Sequence, residues 1–215
     1  MYLPAHFRQP DREVIRRLIH EAPLATLVTL SAGALEANHL PMLLGREQEP
    51  MRLRFHVARA NPVWQEAPAG GESLAIFQGP DTYISPSWYA TKAEHGKVVP
   101  TWNYAVVHAY GTLEVRDDKE WLRTFLPELT ATHEARFEDR WQVSDAPEDY
   151  VDKMMLAIVG MELTVTRLVA KWKVSQNQPP ANKATLLDGL RQADQPGAEA
   201  MAGLLDAHLR GATAP

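Results

Sequence analysis

Residues 101–115 read TWNYAVVHAYGTLEV, and this run decides the fold class. Its β-branched and aromatic residues alternate at the period of a strand. One face carries Trp102, Tyr104, Val106, His108 and Tyr110, and the other carries Ala105, Val107, Ala109, Leu113 and Val115. Neither face is polar enough to lie in water, although the strand sits in an antiparallel-looking succession whose outer face should be polar. Two apolar faces need two covers. A barrel interior supplies one, and a second subunit or a large planar ligand supplies the other. The expectation is a homodimer with a cofactor near its interface.

Working outward, residues 11–22 (DREVIRRLIHEA) predict a helix capped by Asp11, with Val14, Ile15, Leu18, Ile19 and Ala22 on one stripe. Strands are predicted over 24–31, 35–44, 52–58, 73–78 and 81–86, separated by Gly or polar turns. A short helix fits 61–67. Helical pattern returns over 118–138, broken at Pro127, and over 147–159, and residues 160–171 read as a last strand. The tail opens extended and then gives two short helices around Gln195-Pro196-Gly197. No internal repeat or long linker is present. The chain is read as a mainly β domain with flanking helices over 1–177, followed by a helical appendage over 178–215 that could lie on a partner.

The composition narrows the chemistry. The 215 residues are 45% hydrophobic and 23% charged, ordinary for a globular protein. There is no cysteine, which excludes a disulfide framework, a thiolate zinc site and a cysteine nucleophile, and fits a reducing cytosol. No apolar run approaches the roughly 20 residues of a membrane span. The opening MYLPAHFRQPDREV has no apolar core of a secretion signal, so a cytoplasmic location is expected. Net charge is −5, without the Lys/Arg cluster that phosphate neutralisation on DNA requires.

Several catalytic patterns are missing. There is no G-x-S-x-G, and Ser85 and Ser87 flank Pro86 in a rigid segment unsuited to a nucleophile elbow. Neither a Rossmann nor a P-loop glycine pattern occurs. His39, His56 and His108 lie in predicted strands, as core or interface imidazoles or as lining of a groove, but no H-x-H or H-x-x-x-H spacing builds a metal centre. Aromatics crowd the stretch from 64 to 110, with Trp64, Trp88, Tyr89, Trp102, Tyr104 and Tyr110. They are either core or the walls of a cleft for a planar heterocycle.

One local pattern suggests an anion. In FHVARANPVW (55–64) a strand runs into Arg59-Ala60-Asn61-Pro62. Asn61 is a good N-cap and Pro62 a good first helical residue, so free amides of a helix start would sit beside the Arg59 fork. His56, on the Arg59 side of the strand end, could add a donor. The plainer alternative is a surface arginine next to a capped helix.

MYLPAHF, NHLPMLL, FHVARANPVW, FQGPDTYISPSWY, VPTWNYAVVHAYG and KVSQN together resemble the PaiB-type FMN-binding negative transcriptional regulators, in the family's order from residue 1 to about 177. The resemblance implies an FMN-binding split β-barrel like that of pyridoxamine phosphate oxidase, forming a homodimer with FMN between subunits. It implies that Arg59, Ala60 and Asn61 hold the flavin phosphate, beside the donor that His56 could add. Trp102 and Asn103 would lie on the strand facing the groove, and Lys173, Ser175, Gln176 and Asn177 would reach the flavin from the C-terminal stretch. It also implies repression of degradative-enzyme and sporulation genes. In residues 182–215, Lys183, Arg191 and Arg210 against Asp188, Asp194, Glu199 and Asp206 leave one net negative charge, a poor surface for reading DNA. Regulation is therefore expected to be indirect or linked to flavin redox state. A flavin- or haem-dependent oxidoreductase, or a repressor using the barrel only to dimerise, are the alternatives.

Overall fold

A computed structural model of the chain describes residues 1–31, 33–45, 49–66 and 70–211. In chain order its main elements are α1 (Arg12–Glu21), β1 (Leu24–Ser31), β2 (Ala34–Pro41), β3 (Leu43–Leu44), β4 (Arg52–Ala58), α2 (Val63–Glu66), β5 (Glu72–Ile84), α3 (Thr91–His95), β6 (Thr101–Arg116), α4 (Lys119–Glu134), α5 (Glu148–Met155), β7 (Ile158–Lys173), α6 (Pro180–Gln192) and α7 (Ala198–Leu209). The strands form one sheet in the order β2-β1-β5-β6-β7-β4-β3. The pairs β1–β2, β1–β5, β3–β4 and β4–β7 are antiparallel. Among the described residues, no helix is long and apolar enough to cross a membrane.

The chain divides into two compact units. The first contains residues 1–22, 77–108 and 169–215. Its α1 begins as the sequence predicts: the Asp11 carboxylate accepts from Glu13 N and Val14 N, and Val14, Ile15, Leu18 and Ile19 are buried. The N-terminal segment is tied to β7 through Gln9 N, which donates to Ala170 O at 3.1 Å. Lys171 is buried there beneath the rings of Tyr2, Phe7 and Tyr104. Helices α6 and α7, expected as an appendage, pack on each other and bury Leu186, Leu190, Met201 and Leu205. Asn182 Oδ1 accepts from Thr91 N at 3.0 Å, and Gln195 Nε2 donates to Tyr83 O at 2.8 Å. The last residues of that expected appendage, 212–215, lie outside the described residues.

The second unit contains residues 23–76 and 109–168. Leu53, Phe55 and Val57 of β4 are buried in alternation with less buried neighbours, and on β7 the whole run 159–163 is buried. Helix α4 contributes Phe125 and Leu129, which cluster with Leu43 of β3, and Trp121 stacks on Phe125 at 4.8 Å.

Three boundaries differ from the local sequence pattern. Gly79-Pro80 reads as a turn between two strands, yet β5 runs through it. A side chain at 79 would meet Leu18 Cδ1 at 2.7 Å and Ala105 O at 3.1 Å, so the glycine serves close packing rather than a turn. The expected strand 35–44 divides at Met42, whose N–H donates to Pro23 O at 2.8 Å in the register of the β1–β2 ladder, while Pro23 has no N–H to return the second bond. Pro127 lies inside an unbroken α4. The short helix expected over 61–67 is α2, and residue 67 lies outside the described residues.

Strand β6 has one closed and one half-open face. Asn103, Ala105, Val107, Ala109 and Gly111 are buried, whereas Trp102 is 55% exposed and Tyr104, His108 and Tyr110 are intermediate. Gly111 permits the closest approach in this strand, because a Cβ there would lie 2.2 Å from Thr164 O. A backbone carbonyl cannot rotate away, so Gly111→Ala is expected to destabilise the fold by about 1–3 kcal/mol, the range for overpacking, in urea denaturation.

Candidate functional site

The end of β4 is positioned by its ladder with β7, in which Ala58 faces Ile158. Arg59 follows at once, and its N–H donates to Ala157 O at 2.8 Å. The guanidinium then makes four further bonds. Nε donates to Leu156 O at 2.9 Å and Nη2 to Ile158 O at 3.1 Å. Nη1 and Nη2 form a bidentate pair with Asp117 Oδ2 and Oδ1 at 3.0 and 2.6 Å. That contact holds the Asp117 carboxyl below its usual range and Arg59 above its own, in each case first through the hydrogen bond itself.

Ala60 and Asn61 complete the turn. Ala60 is exposed, and Asn61 N donates back to Ala58 O at 2.8 Å. Asn61 Oδ1 accepts from Val63 N at 3.0 Å, as an N-cap should, while its Nδ2 donates to Asn38 Oδ1 at 2.7 Å. Helix α2 is only four residues long, so the expected helix-start amides amount to one short turn. Trp64 closes the other side, with Nε1 donating to Arg59 O and its ring 5.7 Å from the Arg59 Cζ. His56 belongs elsewhere. Its ring meets Phe125 of α4 edge-on at 6.1 Å, its buried Nδ1 has no partner, and burial lowers its pKa. The alternation of β4 carries it to the α4 side.

In the first unit the structure brings together residues 101–103 and 172–176. Trp102 stands exposed, with Tyr83 edge-on at 6.2 Å. Lys173 Nζ donates to Trp102 O at 2.8 Å and to Thr101 Oγ1, leaving one N–H, and burial lowers its pKa. Asn103, expected on the same groove-facing strand, is fully buried on the side of the strand opposite Trp102. Its Nδ2 donates to Ser175 Oγ at 2.9 Å, and Ser175 Oγ faces Asn103 Oδ1 at 3.2 Å. Ser175 has φ +63°, a left-handed conformation uncommon outside glycine. Gln176 locks the same turn, accepting from Val174 N at 2.8 Å and donating to Trp172 O at 2.6 Å. Asn177 is exposed.

The family model described as "Putative FMN-binding domain" matches residues 1–167. The chain belongs to that family. Among curated relatives of this FMN-binding domain protein, the protease synthase and sporulation protein PAI 2 of Bacillus subtilis is 30% identical, covering 98% of this chain and 99% of its own. An uncharacterized protein of Emericella nidulans is also 30% identical, over 95% of this chain and 96% of its own. Two solved structures share the fold. A conserved hypothetical protein from Mycobacterium tuberculosis has TM-score 0.60 and 12% identity, covering 83% of this chain and 94% of that one. The FAD and heme binding protein from Mycobacterium smegmatis has TM-score 0.56 and 19% identity, covering 85% and 80%. The split barrel expected from sequence is the fold of this family member.

Membership makes FMN the cofactor to be fitted to these residues. FMN needs a phosphate partner and a flat apolar contact, and the donor chemistry suits both. The Arg59–Asp117 pair is an exposed ion pair, with side chains 39% and 45% exposed, and such pairs hold weakly. A phosphate can take the place of Asp117 on the fork while the carbonyls of Leu156 and Ile158 keep the guanidinium in plane. Trp102 offers an exposed indole. Asp117, Tyr83 and Thr101 escaped the sequence reading. Asp117 precedes Asp118, whose carboxylate caps α4 by accepting from Glu120 N, and a cap accounts for an acidic pair without any further role.

Because the Asn103 amide is fully buried, removing it leaves the Ser175 hydroxyl without its partner in a strained turn. Asn103→Ala is expected to cost about 1–3 kcal/mol, the penalty of an unpaired buried polar group. Urea denaturation measures it, and an unchanged midpoint would show that the turn holds without the bond.

Proposed function

We propose that this chain is a homodimeric FMN-binding protein whose regulatory effect is indirect or runs through the flavin's redox state. The observation that carries the reading is the Arg59 fork, fixed on one edge by two backbone carbonyls and facing an exchangeable carboxylate on the other. In this reading Arg59 takes the phosphate in place of Asp117. Asn61 shapes the turn by capping Val63, and Ala60 keeps it free of a bulky side chain. Trp102 lies against the ring, and the remaining N–H of Lys173 donates to the flavin, with Asn177 as a further polar contact. Asn103, Ser175 and Gln176 act as positioning residues that hold the turn behind Lys173. His56 supports the strand rather than the ligand. When bound, FMN supplies the electron-transfer chemistry, and the protein supplies orientation and hydrogen bonds.

Three features support the rest of the reading. The half-open aromatic face of β6 is suited to a second subunit. The relative from Bacillus subtilis is named for protease synthesis and sporulation, which supports a regulatory role. Helices α6 and α7 turn their apolar residues inward and carry no basic stripe, which favours an indirect effect over DNA reading.

Titration of the purified protein with FMN, followed by flavin fluorescence, tests the phosphate anchor. Arg59→Ala is expected to weaken FMN by about tenfold or more, the scale of a lost charged hydrogen bond. Asp117→Ala, by removing the internal competitor, is expected to tighten it. Equal affinity in the wild type and Arg59→Ala would move the phosphate to other residues. Trp102→Ala should weaken FMN and riboflavin alike, because both carry the ring, whereas Arg59→Ala should leave riboflavin unaffected.

A further inference from the structure

Helix α4, the 140–146 segment and α5 enclose a cleft of about 800 Å³ within the second unit. That volume falls in the range of small-molecule sites. The apolar part of its walls comes from Leu126, Pro127 and Ala131 of α4, Val143 of the connecting segment, and Val151 and Met155 of α5. Trp141 stands at the cleft, 48% exposed.

The cleft is held open by bonds made before any ligand arrives. Asp152 of α5 ties the two helices together, accepting from Lys119 Nζ at 2.8 Å and from Arg123 Nη2 at 2.5 Å. Trp141 N donates to Glu134 Oε2 at 3.1 Å, which anchors the connecting segment to the end of α4. Gln142 N donates to Asp145 Oδ2 at 2.8 Å and stiffens the same segment. A preformed cavity loses little on binding, because its side chains are already ordered.

Its charges are almost all committed. Arg123 faces Asp152 and Glu148, and Glu134 serves the Trp141 amide. Arg140 differs: its Nε donates to Phe137 O at 3.3 Å, and among the described residues it forms no ion pair. One unpaired guanidinium beside apolar walls and an indole calls for a monoanion with a flat apolar body. We propose that this cleft binds an aromatic monocarboxylate, with its carboxylate on the Arg140 fork and its ring beside Trp141. None of these residues is used for FMN, so the proposal stands apart from the flavin reading.

The full chain, saturated with FMN, is titrated calorimetrically with 2-naphthoate and with its neutral counterpart 2-naphthamide. The acid is expected to bind at one site per chain, about tenfold or more tighter than the amide, as a charged hydrogen bond dictates. Arg140→Met should bring the acid down to the affinity of the amide. Ala131→Trp should abolish binding of both by filling the cleft, with FMN affinity and thermal midpoint unchanged. The proposal is overturned if the acid does not bind, if acid and amide bind equally to the wild type, or if either substitution leaves the acid's affinity intact. Arg140 is exposed and its substitution leaves the core untouched, so misfolding cannot account for a loss seen with Arg140→Met alone.

Discussion

The antiparallel ladder between β4 and β7 governs the second unit, running from Arg52 opposite Thr164 to Ala58 opposite Ile158. A shift of one residue would exchange the buried Leu53, Phe55 and Val57 for Arg52, Arg54 and His56, which the core cannot accept. With the register set in this way, Arg59 emerges where the carbonyls of Leu156 and Ile158 are available to it. The same register leaves Arg52 beside the buried Glu162 at 3.2 Å, with Arg116 on that carboxylate at 3.1 Å. The hydrophobic alternation of one strand thus determines which polar groups meet at its end.

A second constraint is the cost of burying polar groups. Asn103 lies on the closed face of β6, where an unbonded amide would be strongly unfavourable, and Ser175 satisfies it at the expense of a left-handed backbone. Gln176 turns back onto the chain that carries it. These residues belong to the most recognisable phrases in the sequence, yet their side chains bond to the protein itself. In the proposed assignment, ligand contact falls to the groups left outside this network: the Trp102 indole, one N–H of Lys173, and a guanidinium edge whose present partner is an exposed carboxylate.

Much of the fold was legible because its signals are local. The Asp11 cap and the stripe from Val14 to Ile19 specify α1, and the alternation in 52–58 and 101–115 specifies β4 and β6. Helix α3, residues TKAEH, was missed because it has no apolar face, and no residue of it is buried. Gly79 and Pro127 were misleading for the opposite reason. Each looks like a breaker within its own window, but Gly79 is required by the approach of Leu18 and Ala105, and Pro127 removes one N–H from a helix whose buried face holds it together.

The candidate site divides along the same line. By itself the sequence determined most of the elements, the family phrases and the turn after β4, since caps, alternation and proline rules act over a few residues. It could not show that Arg59 is paired with Asp117, 58 residues away, or that Asn103 faces Ser175, 72 residues away. Those pairings depend on strand register and on which face a side chain takes. Only the tertiary structure decides them, because the free energy that selects them comes from burying distant apolar residues and leaving no polar group unpaired beside them.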